Sequence, residues 1–259
     1  MLKSMPAIFL GHGNPMNALG RNVYSKGWAA IGAKIAKPRA VLAISAHWYI
    51  RNTSVTAMPF PRTIHDFGGF PPELYQVQYP APGAPALASR VQKLLGPIPV
   101  GLDEQWGLDH GTWSVLCHVF PRADVPVVQL SIDKAQPAAF HYGIGERLAP
   151  LRDEGVFIVG SGNLVHNLHA YAWGQHAVEP FDWAVRFEKQ VRELLLAGET
   201  GPLIAYESLG SDAMLSIPTP DHYLPFLYVI ALRRKGEPVH FPVEGVDGGS
   251  VSMLAVQIG

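Results

Sequence analysis

Ala7-Ile8-Phe9-Leu10-Gly11-His12-Gly13-Asn14-Pro15 decides how the rest of this 259-residue chain is read. Four apolar residues in a row, closed by glycine, read as a buried strand. The histidine that follows sits between two glycines, on a turn where the backbone bends freely and nothing crowds the ring. The arrangement returns at Ala40-Val41-Leu42-Ala43-Ile44, a second apolar run, which Ser45-Ala46-His47-Trp48 ends. In open α/β sheets, sites form in the crevice beyond the carboxyl ends of the strands. Two histidines delivered to that edge are candidate metal ligands, although a polar residue hydrogen-bonded at a strand end has the same local sequence.

Outward from these two runs the chain alternates strand and helix patterns. Residues 28–35 read as a helix stopped by Pro38, and Thr53–Met58 as a further strand. Ala84–Leu95 reads as a helix, Pro99–Leu102 and Val125–Ser131 as strands, Pro137–Leu151 as an amphipathic helix and Val156–Val159 as a strand. Phe181–Ala197 is a helix with apolar and charged faces, a structural element. Residues 219–232 open with Asp221-His222-Tyr223 and continue as an apolar helix, and Val239–Phe241 and Val251–Val256 supply the last strands. The pattern predicts an α/β fold with a central, mostly parallel or mixed sheet flanked by helices. Residues 59–83, rich in proline, glycine and aromatics, have no pattern of their own and read as a lid or wall over a pocket. No repeat, linker or composition shift divides the chain, so residues 1–259 are expected to form one domain.

Composition narrows the function. The chain is 48% hydrophobic and 16% charged, a low charged share that points to much interior or pocket-lining sequence. A formal net charge of −1, with no basic run, argues against nucleic acid or an anionic membrane as partner. The single cysteine, Cys117, lies in a helical segment and excludes a thiolate cluster or an internal disulfide. No signal-peptide pattern or membrane-length apolar run is present, so a cytoplasmic location is expected. Gly160-Ser161-Gly162 follows a strand, but Val165 stands where the dinucleotide fingerprint needs its third glycine, and His166 is the better candidate in that segment.

His12, His47, His166 and His222 are far apart in sequence, and what unites them is position, at a strand end or a helix start. The segments Gly11-His12-Gly13-Asn14-Pro15, Ser45-Ala46-His47-Trp48, His65-Asp66-Phe67-Gly68-Gly69-Phe70, Asp109-His110-Gly111, Gly162-Asn163-Leu164-Val165-His166-Asn167-Leu168 and Asp221-His222-Tyr223 resemble those of the 4,5-DOPA extradiol dioxygenases, in the class III, LigB-like group. The matches run in order over nearly the whole chain. The resemblance implies that His12, His47 and His222 bind a metal ion. It implies that His166 is the acid/base, close enough to be a fourth ligand, and that His110 is a second catalytic histidine contacting substrate or O2. His65 is placed as a pocket residue.

The resemblance further implies a catechol substrate, L-DOPA foremost, opened outside the diol with both atoms of O2 entering the product. Relatives that cleave protocatechuate use two histidines and a glutamate, the set suited to non-haem Fe(II). Here a third histidine takes that place, and three histidines with an open position also suit Zn(II). Zinc has no redox chemistry, so Fe(II) is expected for turnover and Zn(II) as an occupant of isolated protein. Two rivals remain at this point: a zinc hydrolase on the same histidines, and a binding module of the same fold without enzymatic activity. His118, His141, His169, His176 and His240 are expected to be structural.

Overall fold

A computed structural model describes residues 4–175 and 178–259. β1 (Ala7–Gly11) is buried along its whole length, as its unbroken apolar run requires of a strand covered on both faces. Its neighbours are β6 (Val156–Gly162), parallel, and β10 (Ala255–Ile258), antiparallel. β6 also pairs in parallel with β2 (Ala40–Ile50), which pairs in parallel with β5 (Val127–Asp133). Beyond β5 lie β3 (Thr53–Thr56), antiparallel to it, and β4 (Val100–Asp103). With β7 (Val239–His240) on the far edge, the eight strands run in the order β4-β3-β5-β2-β6-β1-β10-β7. The sheet is mixed: the centre β5-β2-β6-β1 is parallel, β5–β3, β1–β10 and β10–β7 are antiparallel, and β3–β4 at the edge is parallel again.

Alternation along the central strands supplies two cores. Ala7, Phe9, Leu42, Ile44 and Ile158 face one layer, while Ile8, Leu10, Val41, Ala43, Phe157 and Val159 face the other. The first layer is covered by α3 (Pro85–Leu95), α5 (Ala138–Leu148), α7 (Asp182–Ala197) and α10 (Leu224–Ile230). The second is covered by α1 (Val23–Lys34) and α4 (His110–Val119) through Trp28, Ile31, Trp113, Leu116 and Val119. Every residue of α10 is buried, so this helix is apolar all round rather than on one face. The remaining helices are short: α2 (Pro72–Tyr75), α6 (Pro150–Asp153), α8 (Thr200–Ile204) and α9 (Ser211–Ser216).

Three expectations about this frame need correction. The strand through Val41 does not end at His47; it runs to Ile50 with a bulge. Ile44 pairs with Leu130 and Tyr49 with Ile132, so residues 45–48 of β2 stand opposite Ser131 alone. A bulge bends the strand and re-aims its side chains, and this one carries His47. The run Val251–Val256 is not one strand either. Its start, β9 (Val251–Ser252), pairs with β8 (Val246–Asp247), and the main sheet begins again at Ala255. His222, finally, stands two residues before α10 rather than at its first position.

Candidate metal centre

The carboxyl ends of β1, β6 and β2 lie side by side, because Gly11 is level with Gly162 and Ser45 with Ser161. His12 leaves β1 there, its backbone N–H donating to Gly162 O at 3.0 Å. His47 arrives from the bulge of β2. His222 reaches the same edge because the chain before α10 presses onto the end of β6, where Asn163 N–H donates to His222 O at 2.9 Å. A Cβ on Gly162 would overlap that carbonyl. Close backbone approach, rather than phosphate binding, is the reason for the glycines that end β6.

The three rings surround one point. Their centroids are 5.0 Å apart for His12 and His47, 5.2 Å for His12 and His222, and 5.1 Å for His47 and His222. The Nε2 atoms of His12 and His47 are 3.1 Å apart. Nitrogens bound at ~2.1 Å to one ion stand roughly 3.0–3.4 Å apart for right-angled to tetrahedral geometry. One potential donor atom from each of the three rings falls within a 4.8 Å grouping.

Each ring has a polar partner at Nδ1, bonded for His12 and His222 and facing for His47. His12 Nδ1 is 3.0 Å from Ser161 Oγ, and that hydroxyl commits its proton to Gly111 O at 2.5 Å. Ser161 is therefore the acceptor, and His12 carries its hydrogen on Nδ1 with the Nε2 lone pair free. His222 Nδ1 bonds the carboxylate of Asp221. His47 Nδ1 faces Asp66 Oδ2 at 3.5 Å. Partners of this kind fix the tautomer that a metal requires. Burial, reinforced by the neighbouring imidazoles, holds His12 and His47 well below the usual histidine range, so both are neutral donors at physiological pH. The donor set thus fits a divalent ion.

His110 is the first residue of α4, placed by the Asp109 N-cap, whose Oδ1 accepts from Thr112 N at 3.1 Å. Its ring centroid is 3.8 Å from that of His47. Its backbone N–H donates to Asp66 Oδ1 at 2.9 Å, and its Nδ1 lies 3.0 Å from the same oxygen, close but off the ideal hydrogen-bond line. Burial raises the Asp66 carboxyl, and the bonds and charge of His110 more than reverse this, leaving it below the ordinary carboxylate range. Burial and the nearby Asp66 charge push the Asp109 carboxyl the other way, up.

His166 stacks flat on His222, with centroids 3.5 Å apart and planes 7° apart. Its donor atoms group with Asp221 and His222, a set separate from that of His12, His47 and His222. Burial, then the charge of His222, pushes its pKa down to about 2. His65 is not at the site; its Nε2 is 3.0 Å from Val77 O, and its ring packs against Trp113 and Phe67 behind the wall. His118 bonds Asn17 O, His141 bonds the Tyr228 hydroxyl, and His240 lies on edge strand β7. His176 falls outside the described residues. Asp66, Asp221 and Ser161 carry no role in the sequence reading, although the first two adjoin or lie within its histidine motifs.

The histidines open onto a cavity of about 260 Å3 walled by Phe67, Phe70, Leu168, Tyr171 and Trp173. Among the described residues, no lysine, arginine, aspartate or glutamate lines it. Residues 59–83 form part of this wall, and they are pinned rather than loose. Ile64 N–H donates to Leu108 O at 2.7 Å, Leu108 N–H to Arg62 O at 2.8 Å and Trp113 Nε1–H to Ile64 O at 2.8 Å.

Fold and site together define an α/β protein with a three-histidine metal-type centre at the carboxyl edge of its parallel strands. The family described as the catalytic LigB subunit of aromatic ring-opening dioxygenase matches residues 6–228. A 4,5-DOPA dioxygenase extradiol of Escherichia coli K12 is 52% identical, over 98% of this chain and 95% of that protein. One from Beta vulgaris is 38% identical, over 95% of this chain and 93% of that protein. A crystal structure of an uncharacterized Escherichia coli K12 protein superposes with a TM-score of 0.87 at 48% identity, covering 98% of this chain and all of the other. The chain belongs to the LigB family and is an extradiol ring-opening dioxygenase.

Proposed function

We propose that the chain opens a catechol ring, with L-DOPA the leading substrate, using O2 and one divalent ion held by His12, His47 and His222. The observation that carries this reading is the ring of three imidazoles, each with a polar partner at or facing Nδ1, beside an apolar cavity of about 260 Å3. That volume lies near the small end of the ~300–1,000 Å3 typical of ligand pockets, as suits a single aromatic ring. The relatives' names supply DOPA as the first catechol to test.

A bound Fe(II) supplies the redox chemistry between catecholate and O2 that no side chain here provides. The chain supplies the rest. Phe67, Phe70, Leu168, Tyr171 and Trp173 shield a flat ring from water. His166, neutral over the physiological range, accepts the proton of a catechol hydroxyl. The negative charge of the ionising catechol, beside His166, raises its hold on that proton. We assign His166 this acid/base role, in keeping with its stacking on His222, and give His110 the task of contacting the substrate or O2. The carbon–carbon bond beside the diol breaks, and both oxygens of O2 stay in the product.

Two broader readings accompany this one. Two cores packed on one sheet support a single domain over residues 1–259. We also read the protein as cytoplasmic; among the described residues, no helix is long and apolar enough to cross a membrane.

The test is O2 uptake with L-DOPA and with plain catechol, on protein stripped of metal and reloaded with Fe(II) or Zn(II). Uptake with Fe(II) alone, giving a yellow ring-opened product, is the expected result. Stoichiometric metal binding without uptake in either form overturns it in favour of hydrolysis or binding.

A further inference from the structure

Asp66 does not line the cavity itself but precedes Phe67, which does, and its carboxylate reaches two histidines of the centre on other elements. Oδ1 accepts from the backbone N–H of His110 at 2.9 Å and lies 3.0 Å from His110 Nδ1. Oδ2 lies 3.5 Å from His47 Nδ1. The next residue, Phe67, lines the cavity with its ring 5.4 Å from that of His110. The segment carrying both is bonded on its N-terminal side to the strand-like stretch before α4 and to Trp113.

We propose that Asp66 is a positioning residue that couples the pocket wall to the centre. An anionic oxygen beside each Nδ1 favours the tautomer with hydrogen on that nitrogen. The Nε2 lone pair of His47 is then left facing His12, where an ion would sit, and the Nε2 of His110 is left able to accept. One carboxylate thereby sets two rings with different tasks, and the backbone bond to His110 fixes the start of α4 in the same stroke. The inference rests on the metal-centre reading above and adds to it a residue outside the ligand set.

The variants Asp66→Asn and Asp66→Ala test it. Asn keeps an oxygen for the His110 backbone bond and turns an N–H2 group toward His47 Nδ1, favouring the wrong tautomer there. Expected in metal-free protein is loss of the Nδ1–H form of His47 by imidazole 15N NMR in both variants, with Asp66→Glu restoring part of it. Zn(II) affinity, measured by chelator competition, is expected to fall about 10–100-fold in Asp66→Asn, the cost usual for an outer partner of a ligating histidine. Native-like melting of Asp66→Asn separates this from misfolding. If Asp66→Ala does not fold, Asp66→Asn decides alone. Unchanged 15N tautomers together with Zn(II) affinity within twofold of the parent overturn the proposal. A parent protein that binds no Zn(II) overturns the metal-centre reading instead, and the 15N spectra of the metal-free variants then decide the role of Asp66.

Discussion

Among the described residues, wholly or partly buried histidines occur in two settings, and one of them faces the cavity. His12, His47, His110, His166 and His222 converge on one cavity, each facing another imidazole. His141 is more deeply buried than His47 or His166, with no exposed surface, and its Nδ1 meets the Tyr228 hydroxyl at 2.9 Å, between α5 and α10. Both settings depress the histidine pKa through burial. Burial and a shifted pKa therefore do not mark the site; shared aim does. At the centre, Ser161, Asp221 and Asp66 occupy or face the Nδ1 atoms and leave lone pairs toward a common point. At His141 the Nε2 has no hydrogen-bond partner among the described residues, and the ring does not line the cavity of the centre.

The comparison breaks most sharply under ligand removal. His12→Ala or His222→Ala should take metal content from one ion per chain to none and lower turnover by more than ~10³-fold, beyond the 10–100-fold cost of losing an outer partner. His141→Gln should leave metal content and turnover within about twofold. Metal analysis and O2 uptake on the three proteins check this, and a normal metal content in His12→Ala would remove the convergence argument.

Within the converging group, His166 is placed differently from its neighbours. Its ring lies on the face of His222 rather than in the triangle of His12, His47 and His222. His166→Ala should keep metal and catechol binding while slowing turnover by roughly 10²–10⁴-fold. Loss of the metal from this variant would instead make His166 a ligand. Stopped-flow binding and steady-state rates, taken together, separate the two.

Much of this contrast was legible in the sequence, and the remainder was hidden for physical reasons. His12 and His47 were readable because unbroken apolar runs led into them, and the order of alternating elements placed both at one sheet edge. The Asp66 and Asp221 carboxylates were visible as residues but not as partners. Asp66 serves His110, 44 positions away, and only the packing of the wall against α4 brings them together. Ser161 looked like part of a glycine-rich turn, yet its hydroxyl supports His12 across 149 positions. The bulge in β2 was invisible because Ser45-Ala46-His47-Trp48 has the composition of an ordinary strand end. The break in Val251–Val256 was hidden for a related reason. Met253 and Leu254 are apolar and fully buried, so hydrophobicity stays constant where the backbone leaves one sheet and joins another.

The non-site histidine makes its own prediction, on stability rather than catalysis. Burial pushes His141 down to about 4, from about 6.5 in an unfolded chain. Between those values the unfolded chain binds a proton that the folded one refuses, so stability rises with pH there. The contribution is fully present above pH ~6.5 and is lost as pH falls toward 4, by about 3 kcal/mol at most. His12, His47 and His166 act in the same direction in metal-free protein. His141→Gln should therefore flatten the acid limb of the stability curve without abolishing it. Urea melts of metal-free parent and variant between pH 7 and 4 measure this, and equal slopes would show that His141 is not held neutral by the fold.

The smallest effect is expected at the lip of the cavity. Trp173 packs on Tyr171, with centroids 4.6 Å apart, but remains 61% exposed. Phe67 sits deeper, against His110. If a bound ring covers about 40 Å2 of apolar Trp173 surface, at ~25 cal/mol per Å2 the contact contributes on the order of 1 kcal/mol, about fivefold in affinity. Trp173→Ala should accordingly raise KM for catechol a few-fold with kcat nearly constant, because the lip binds ground state and transition state alike. Phe67→Ala should raise KM and also lower kcat, since it removes packing from His110, the ring proposed to contact substrate or O2. Equal KM and kcat effects in the two variants would mean that the wall closes over the substrate as one surface, and the division between lip and floor would fall.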